Sequence, residues 1–430
     1  MTNLPPLFRV RQRFDAPRVD DIPGEVHRQL LALDLAERIK PGQRVAITAG
    51  SRGVANIHVV IRAIADHLKS LGGQPFIVPA MGSHGGGTAE GQRRVIESYG
   101  VTELFCGCPI VASMETVVVC DTAEGFPVHF DRNAYEADHV VVVNRVKPHT
   151  NFIGDIESGL MKMMLIGLGK HAGAKIYHRA INDHDFGQIV RSVAGRVLQK
   201  CHVVAGVALV ENAYDETGRI AAVAPHQFES REKELLTLAK SWMPKLPFYH
   251  CDILLIDQIG KNISGTGMDT NIIGRKYNES RGTERDSANV RVIVVRSLTP
   301  QTHGNATGIG MADFCTTRCV HQMDVEATRI NCLTGGHARG ARIPIHYDTD
   351  REILEKALPL IGLREPPQAR ILWIPNTLHL REVECSVVYL DEARRRDDLE
   401  ILTEPRGWPL DSSGNLPASQ ADFAGQLAHQ

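Results

Sequence analysis

Histidines, lysines, one arginine and runs of glycine recur in this chain where polar loops follow apolar segments, and these are the residues able to do chemistry. The first such group is the pair of loops GSRG (50–53) and GSHGGGT (82–88). Successive glycines after a strand let backbone amides approach a phosphate or carboxylate, so Gly50, Ser51, Gly85 and Gly86 can cradle an anionic cofactor. Arg52 can clamp such an anion through two parallel hydrogen bonds. The same glycines also suit plain tight turns, and neither loop matches a P-loop or the spaced dinucleotide fingerprint. His84, an imidazole between glycines, reads either as an exposed surface histidine or as an acid–base group in a rim loop.

The second group is KPHTNFIGDIESGLMKMMLIGLGKHAGAKIYH (147–178), where three histidines and four lysines frame an apolar stretch. Lys162 is either a side chain snorkelling to a helix edge or an amine in a desolvated pocket, where it becomes nucleophilic. His149, following Pro148 at a loop start, suits acid–base work, and His178, sixteen residues beyond Lys162, suits metal ligation. Each histidine taken singly more often fills a core or surface position than a catalytic one. Cys106-x-Cys108 and Cys315-x-x-x-Cys319, the latter followed by His321, offer ligands for zinc or an iron–sulfur cluster, but without the paired C-x-x-C spacing of a zinc site they read rather as buried or incidental thiols.

Short apolar runs alternating with helical patterns must position these residues, and that alternation signals an α/β fold. RVAITAG (44–50), QPFIVP (74–79), ADHVVVVNRVKPH (137–149) and HVVAGVALV (202–210) read as strands, and HVVIRAIADHLKSLG (58–72) as a helix stopped at Gly72. The loops after these strands are expected to share one rim, where ligands collect in open α/β sheets. A proline-interrupted segment before the strand at 251–256 marks a domain boundary. RVIVVRSL (291–298) and ARILWIPN (369–376) are further strands, 316–336 reads as a helix then a loop, and the tail from 404 reads as loosely held. The expectation is two α/β domains with mostly parallel sheets, residues 1–248 binding cofactor and 249–430 contributing substrate-binding residues, with the active site in the cleft between them.

Composition narrows the partners. With 430 residues, 43% hydrophobic and 23% charged, the chain is long enough for two or three globular domains. Forty-eight Lys and Arg against 50 Asp and Glu give a net charge of −2, which supplies no field to hold nucleic acid or an anionic membrane. No stretch reaches the roughly 18–20 uninterrupted apolar residues of a membrane span. The N-terminus lacks the apolar core of a signal peptide, and nine scattered cysteines do not form a disulfide framework, so a reducing cytoplasm is expected. A homo-oligomer is left open.

Together, GSRG, GSHGG, His149 followed by an aromatic and a glycine, the G-x-x-Lys at 159–162, His178 and DQIGK (257–261) resemble the signature of the lactate racemase superfamily, the nickel-pincer-nucleotide enzymes. The spacings of Lys162 to His178 and of Gln258 to Lys261 are those of the family, and the resemblance spans roughly residues 40–400. It implies that Lys162 joins the pincer cofactor, covalently in the lactate racemase itself, and that His178 ligates nickel. It also implies that His84 and His149 are the acid–base pair and that Arg52, Gln258 and Lys261 hold the substrate carboxylate or its neighbouring oxygen. Phe152 lies near a family aromatic, although the segment from His149 to Lys162 is three residues longer here. Ala49 replaces a family aspartate, and Asp257 a tyrosine.

The implied activity is a racemase or epimerase that inverts C2 of a 2-hydroxy carboxylate by reversible hydride transfer to the cofactor. Removing the C2 hydrogen as a proton would put a carbanion beside a carboxylate, a cost that hydride transfer avoids. Asp269, Asn271 and Arg275 in GTGMDTNIIGRKY (265–277) suggest a hydroxylated substrate such as a gluconate-type sugar acid; lactate and malate-type short acids are the alternative. A non-catalytic carrier of the nickel cofactor is a further alternative, disfavoured by the two histidines. A nicotinamide-linked dehydrogenase is disfavoured by the missing G-x-G-x-x-G.

Overall fold

The structure is a computed structural model describing residues 4–51 and 53–418. The chain divides into two compact units, one of Asp15–Met243 and the other of Pro244 onward together with the N-terminal segment up to Phe14. The boundary thus falls slightly before the expected 248, and the first fourteen residues belong with the C-terminal unit. The reason is pairing. Strand β1 (Leu7–Gln12) runs antiparallel to both β14 (Glu382–Ser386) and β15 (Leu399–Ile401). Arg9 and Arg11 stand opposite Glu384 and Glu382 and bond them at 2.7 and 2.9 Å, so this charged, alternating segment is specified as a strand by cross-strand ion pairs.

In Asp15–Met243 the described residues form a five-stranded sheet in the order β3 (Gln74–Pro79), β2 (Arg44–Ala49), β6 (His139–Arg145), β7 (Val203–Glu211), β8 (Thr217–Val223). All neighbours are parallel except β7 and β8. A separate hairpin joins β4 (Thr116–Asp121) to β5 (Pro127–Asp131). Successive residues of the sheet enter different cores. Ala46, Val140, Val142 and Ala208 pack with the segments 159–180, 186–200 and 228–242, while Val45, Ile47, Val141, Val143 and Val207 pack with the helices Ile22–Leu31 and Ile57–Ser70. Burial on both faces is what parallel strands require, and it explains their unbroken apolar runs.

The second unit carries an eight-stranded sheet in the order β12 (Ile345–Tyr347), β11 (Phe314–Thr316), β10 (Asn289–Leu298), β9 (His250–Ile259), β13 (Ile371–Ile374), β14, β1, β15. It is parallel from β12 to β13 and antiparallel beyond. Arg296 on β10 is buried between Asp257 and Asp350, and Asp350 also receives Arg318 at 2.9 Å. Segment 316–336 is two helices, Thr317–His321 and Val325–Thr334, because Asp324 caps a fresh start by accepting the N–H of Ala327.

The described part of the tail is not loose. Trp408 stacks on the buried Trp373 at 6.5 Å, Arg406 bonds Glu384 at 2.6 Å, and Leu416 and Pro417 offer their carbonyls to Arg296 at 3.0 and 2.7 Å. Its polar composition hid these few anchoring residues. No helix among the described residues is long and apolar enough to cross a membrane.

Candidate functional site

Sheet order sets the place of the site. Strand β2 lies between β3 on one side and β6 on the other, so the chain changes direction across the sheet there, and loops leaving β2 and β6 diverge. Gly50 and Ser51 follow β2, His84 follows β3, and His149 follows β6, all at the C-terminal ends of adjacent parallel strands. Arg52 lies outside the described residues.

Segment 147–158 folds back on itself. Ser158 Oγ accepts the N–H of Lys147 at 2.7 Å and donates to its carbonyl at 2.6 Å. Glu157, 1% exposed, accepts the His149 N–H at 2.8 Å and pairs with Lys240 at 2.8 Å. His149 Nδ1 accepts the backbone N–H groups of Asn151 and Phe152 at 3.0 and 3.2 Å. The ring stacks on Phe152 at 4.3 Å, and Phe152 stacks on Phe186 at 3.9 Å.

Lys162 meets the same aromatic wall. Its ammonium stands 5.3 Å from the Phe152 ring and 5.7 Å from that of Phe186, a cation–π arrangement. Lys162 closes the short helix Gly159–Lys162, which runs directly into a π-helical turn, Met163–Gly167. Such turns recur at functional sites because the extra residue redirects side chains. Glycine is required at 159. Its φ is +85°, and a Cβ there would come within 2.6 Å of the Glu232 carboxyl. Glu232 accepts the Met161 N–H at 3.0 Å, and burial pushes its carboxyl up to about 8. Asn144 at the end of β6 donates to the Gly159 carbonyl at 2.7 Å and anchors the other side.

His178 lies in the last turn of the helix Lys170–Ala180. The half-buried imidazole has its basicity lowered first by desolvation and then by the charge of Lys162, which favours its neutral form. The His84 loop reaches the same helix and the π-helical turn before it: a Cβ on Gly82 would stand 3.0 Å from Ala174 of the helix and 3.3 Å from Ile166 of the turn, and one on Gly87 would stand 3.8 Å from the His171 ring. His84 itself is exposed. His149, Phe152, Lys162, Phe186 and His178 are therefore linked in one cluster, bordered by the loop of His84, while a Cβ on Gly50 would lie 3.2 Å from Met163.

Gln258 and Lys261 belong to the other unit. Gln258, the penultimate residue of β9, gives its N–H to the Pro375 carbonyl at 2.9 Å, and the Lys261 amine donates to the Gly265 carbonyl at 2.8 Å. The expectation that Asp269, Asn271 and Arg275 meet substrate hydroxyls is corrected for the last. Arg275 is 1% exposed and spends its guanidinium on the carbonyls of Val290 and Arg291 at 2.7 and 3.1 Å. Asp269 is buried as a helix cap, accepting both nitrogens of Asn271.

Sequence reasoning missed Glu157, Glu232 and Phe186, which hold or face the predicted residues. Only Phe186, an aromatic just after the histidine-rich stretch, carried any signal. Burial pushes the thiols of Cys106 and Cys108 up to about 11 and that of Cys315 to about 12, away from the ligating thiolate form. A cavity of about 550 Å³ bordered by Arg18, Glu25, Arg28 and Arg219 includes none of the predicted residues.

Comparison with known proteins gives two positive findings. Residues 39–224 match the family described as a domain of unknown function (DUF362), a stretch that holds Gly50, His84, His149, Lys162 and His178. No curated protein matches the chain by sequence. Among solved structures the chain is similar to the lactate racemase apoprotein from Thermoanaerobacterium thermosaccharolyticum, with a TM-score of 0.51 and 15% identity over 86% of this chain and 94% of that one. At that identity the likeness establishes a shared α/β fold.

Proposed function

We propose that the chain is a lactate-racemase-like isomerase that inverts C2 of a 2-hydroxy carboxylate with a nickel-pincer nucleotide. The observation that carries this reading is the Lys162 ammonium set over the stacked rings of Phe152 and Phe186, with His149 stacked on Phe152, and a half-buried His178 whose basicity is lowered by desolvation and then by the charge of that amine. That donor set fits the group. One neutral imidazole is a suitable nickel ligand, a nearby amine suits attachment to the cofactor, and a flat aromatic wall suits a pyridinium ring. When bound, the cofactor supplies a two-electron acceptor for the C2 hydrogen.

The chain's own residues then manage the proton and the carboxylate. Because His149 Nδ1 already accepts two backbone N–H groups, the neutral ring carries its proton on Nε2. In the resting protein His149 is thus a donor toward the oxygen on C2. His84, in its exposed rim loop, receives the hydroxyl proton. Arg52, Gln258 and Lys261 are assigned to the carboxylate, which they would fix while the carbonyl end turns over. With Arg275 committed inside the fold, the case for a sugar acid is weakened, and the reading rests on the unit common to all 2-hydroxy acids.

The test is to produce the chain with the machinery that makes the cofactor and to follow single enantiomers of lactate, malate and gluconate-type acids by chiral chromatography. Approach to a two-isomer mixture with at least one of them is expected. His178→Ala is expected to lose bound nickel while keeping its circular dichroism spectrum. Nickel-loaded protein that inverts none of these acids, or a His178→Ala variant with full nickel content, would overturn the assignment.

A further inference from the structure

The fold contains a buried polar network that the chemistry above does not use. Lys170 and Gln92 are both 0% exposed. Lys170 begins the helix that carries His178, and it does so in a left-handed conformation, φ +54°, costly for a residue with a side chain. Its ammonium pairs with the fully buried Asp131 at 3.0 Å, donates to the carbonyl of Pro79, the last residue of β3, and lies 3.4 Å from Gln92 Oε1. Gln92, on the helix Ala89–Ser98, turns its amide nitrogen to the carbonyls of Met81 and Gly82 at 2.8 and 3.0 Å. Apart from the Asp131 pair and the link between Lys170 and Gln92 themselves, every bond of the network ends on residues 79–82, the segment leading into His84.

We propose that Gln92 and Lys170 are positioning residues that set the His84 loop against the helix carrying His178, so that the acid–base group and the cofactor ligand are held as one part. The Gln92 amide is the keystone. Its oxygen faces the Lys170 side and its two N–H bonds hold the loop, so an apolar side chain of similar size breaks both connections. Buried carbonyls left without donors at Met81 and Gly82 would then favour a displaced loop. This proposal deepens the isomerase reading and rests on it for its kinetic consequence, while its structural consequence stands alone.

The experiment compares the wild-type chain, Gln92→Leu and Gln92→Glu. In hydrogen–deuterium exchange, the amides of 82–88 are expected to exchange at least 10-fold faster in Gln92→Leu, with β6 and β7 unchanged. In nickel-loaded protein the same variant is expected to lose kcat by about 100-fold, as misplacement of a catalytic group does, with KM within 2-fold and nickel content unchanged. Gln92→Glu, which keeps an acceptor for Lys170 but has no N–H to give, is expected to free the 82–88 amides similarly. Unchanged exchange at 82–88 in Gln92→Leu overturns the proposal, as does a loss of kcat that only tracks lost nickel or lost folded protein. A wild-type chain that isomerises no 2-hydroxy acid sinks the isomerase reading, and the exchange result then decides the positioning claim independently.

Discussion

At Gly159 a positive φ and the crowding of the Glu232 carboxyl explain why the G-x-x-Lys spacing works: the glycine leaves room for a group that grips the start of the helix ending at Lys162. The burial that gives Glu232 this role also makes its ionisation costly. Its carboxyl is raised from 4.5 to about 8, so the folded chain keeps a proton that the unfolded chain releases above pH 4.5. Stability from this group is therefore lost as pH rises from about 4.5 through 8, by roughly 5 kcal/mol in all. Glu232→Gln should flatten that slope, as read from urea midpoints at pH 5 and 8; an unchanged slope would mean that other groups set it. The histidines and Lys162 were legible as residue types, since few structural uses need so many of them around one apolar stretch. Their partners were not, because a buried Glu157 or Glu232 looks like any surface carboxylate until the fold covers it.

Among the elements, strands buried on both faces were the easiest to read, their composition leaving no solvent-facing alternative. Strand β1 was not, because LFRVRQ gains its strand character from Glu382 and Glu384, far along the chain. The π-helical turn after Lys162 had no sequence mark, since MMLIG suits an ordinary helix as well. The tail was misjudged for a similar reason: a few contacts, chiefly Trp408 on Trp373 and two carbonyls on Arg296, hold a segment of unremarkable composition. Truncation after Thr403 should therefore cost the second unit about 3 kcal/mol or more, by uncovering Trp373 and depriving a buried guanidinium of acceptors. Calorimetry should show a lower unfolding temperature for that unit with the transition of Asp15–Met243 unmoved.

For the whole molecule, the division into units has a consequence for what each can do alone. The residues clustered around Lys162 and His178 all lie within Asp15–Met243, whose sheet closes without strands from elsewhere. Produced by itself, that unit should fold and resist proteolysis. Deleting residues 1–14 from the full chain should instead destabilise the other unit, because β1 is the strand between β14 and β15. Limited proteolysis that cut Asp15–Met243 first in the deletion variant would contradict this division.

The amino-acid sequence on its own determined the α/β class, the main strands, and the residue types able to ligate a metal and move a proton, because burial periodicity and unusual side-chain chemistry are local properties. Only the tertiary structure decided which of these meet. The crossing of the chain between β3, β2 and β6 brings three distant loops to one rim, and burial, a collective property of the folded chain, lowers the basicity of His178, raises the carboxyl of Glu232 and makes Arg275 structural.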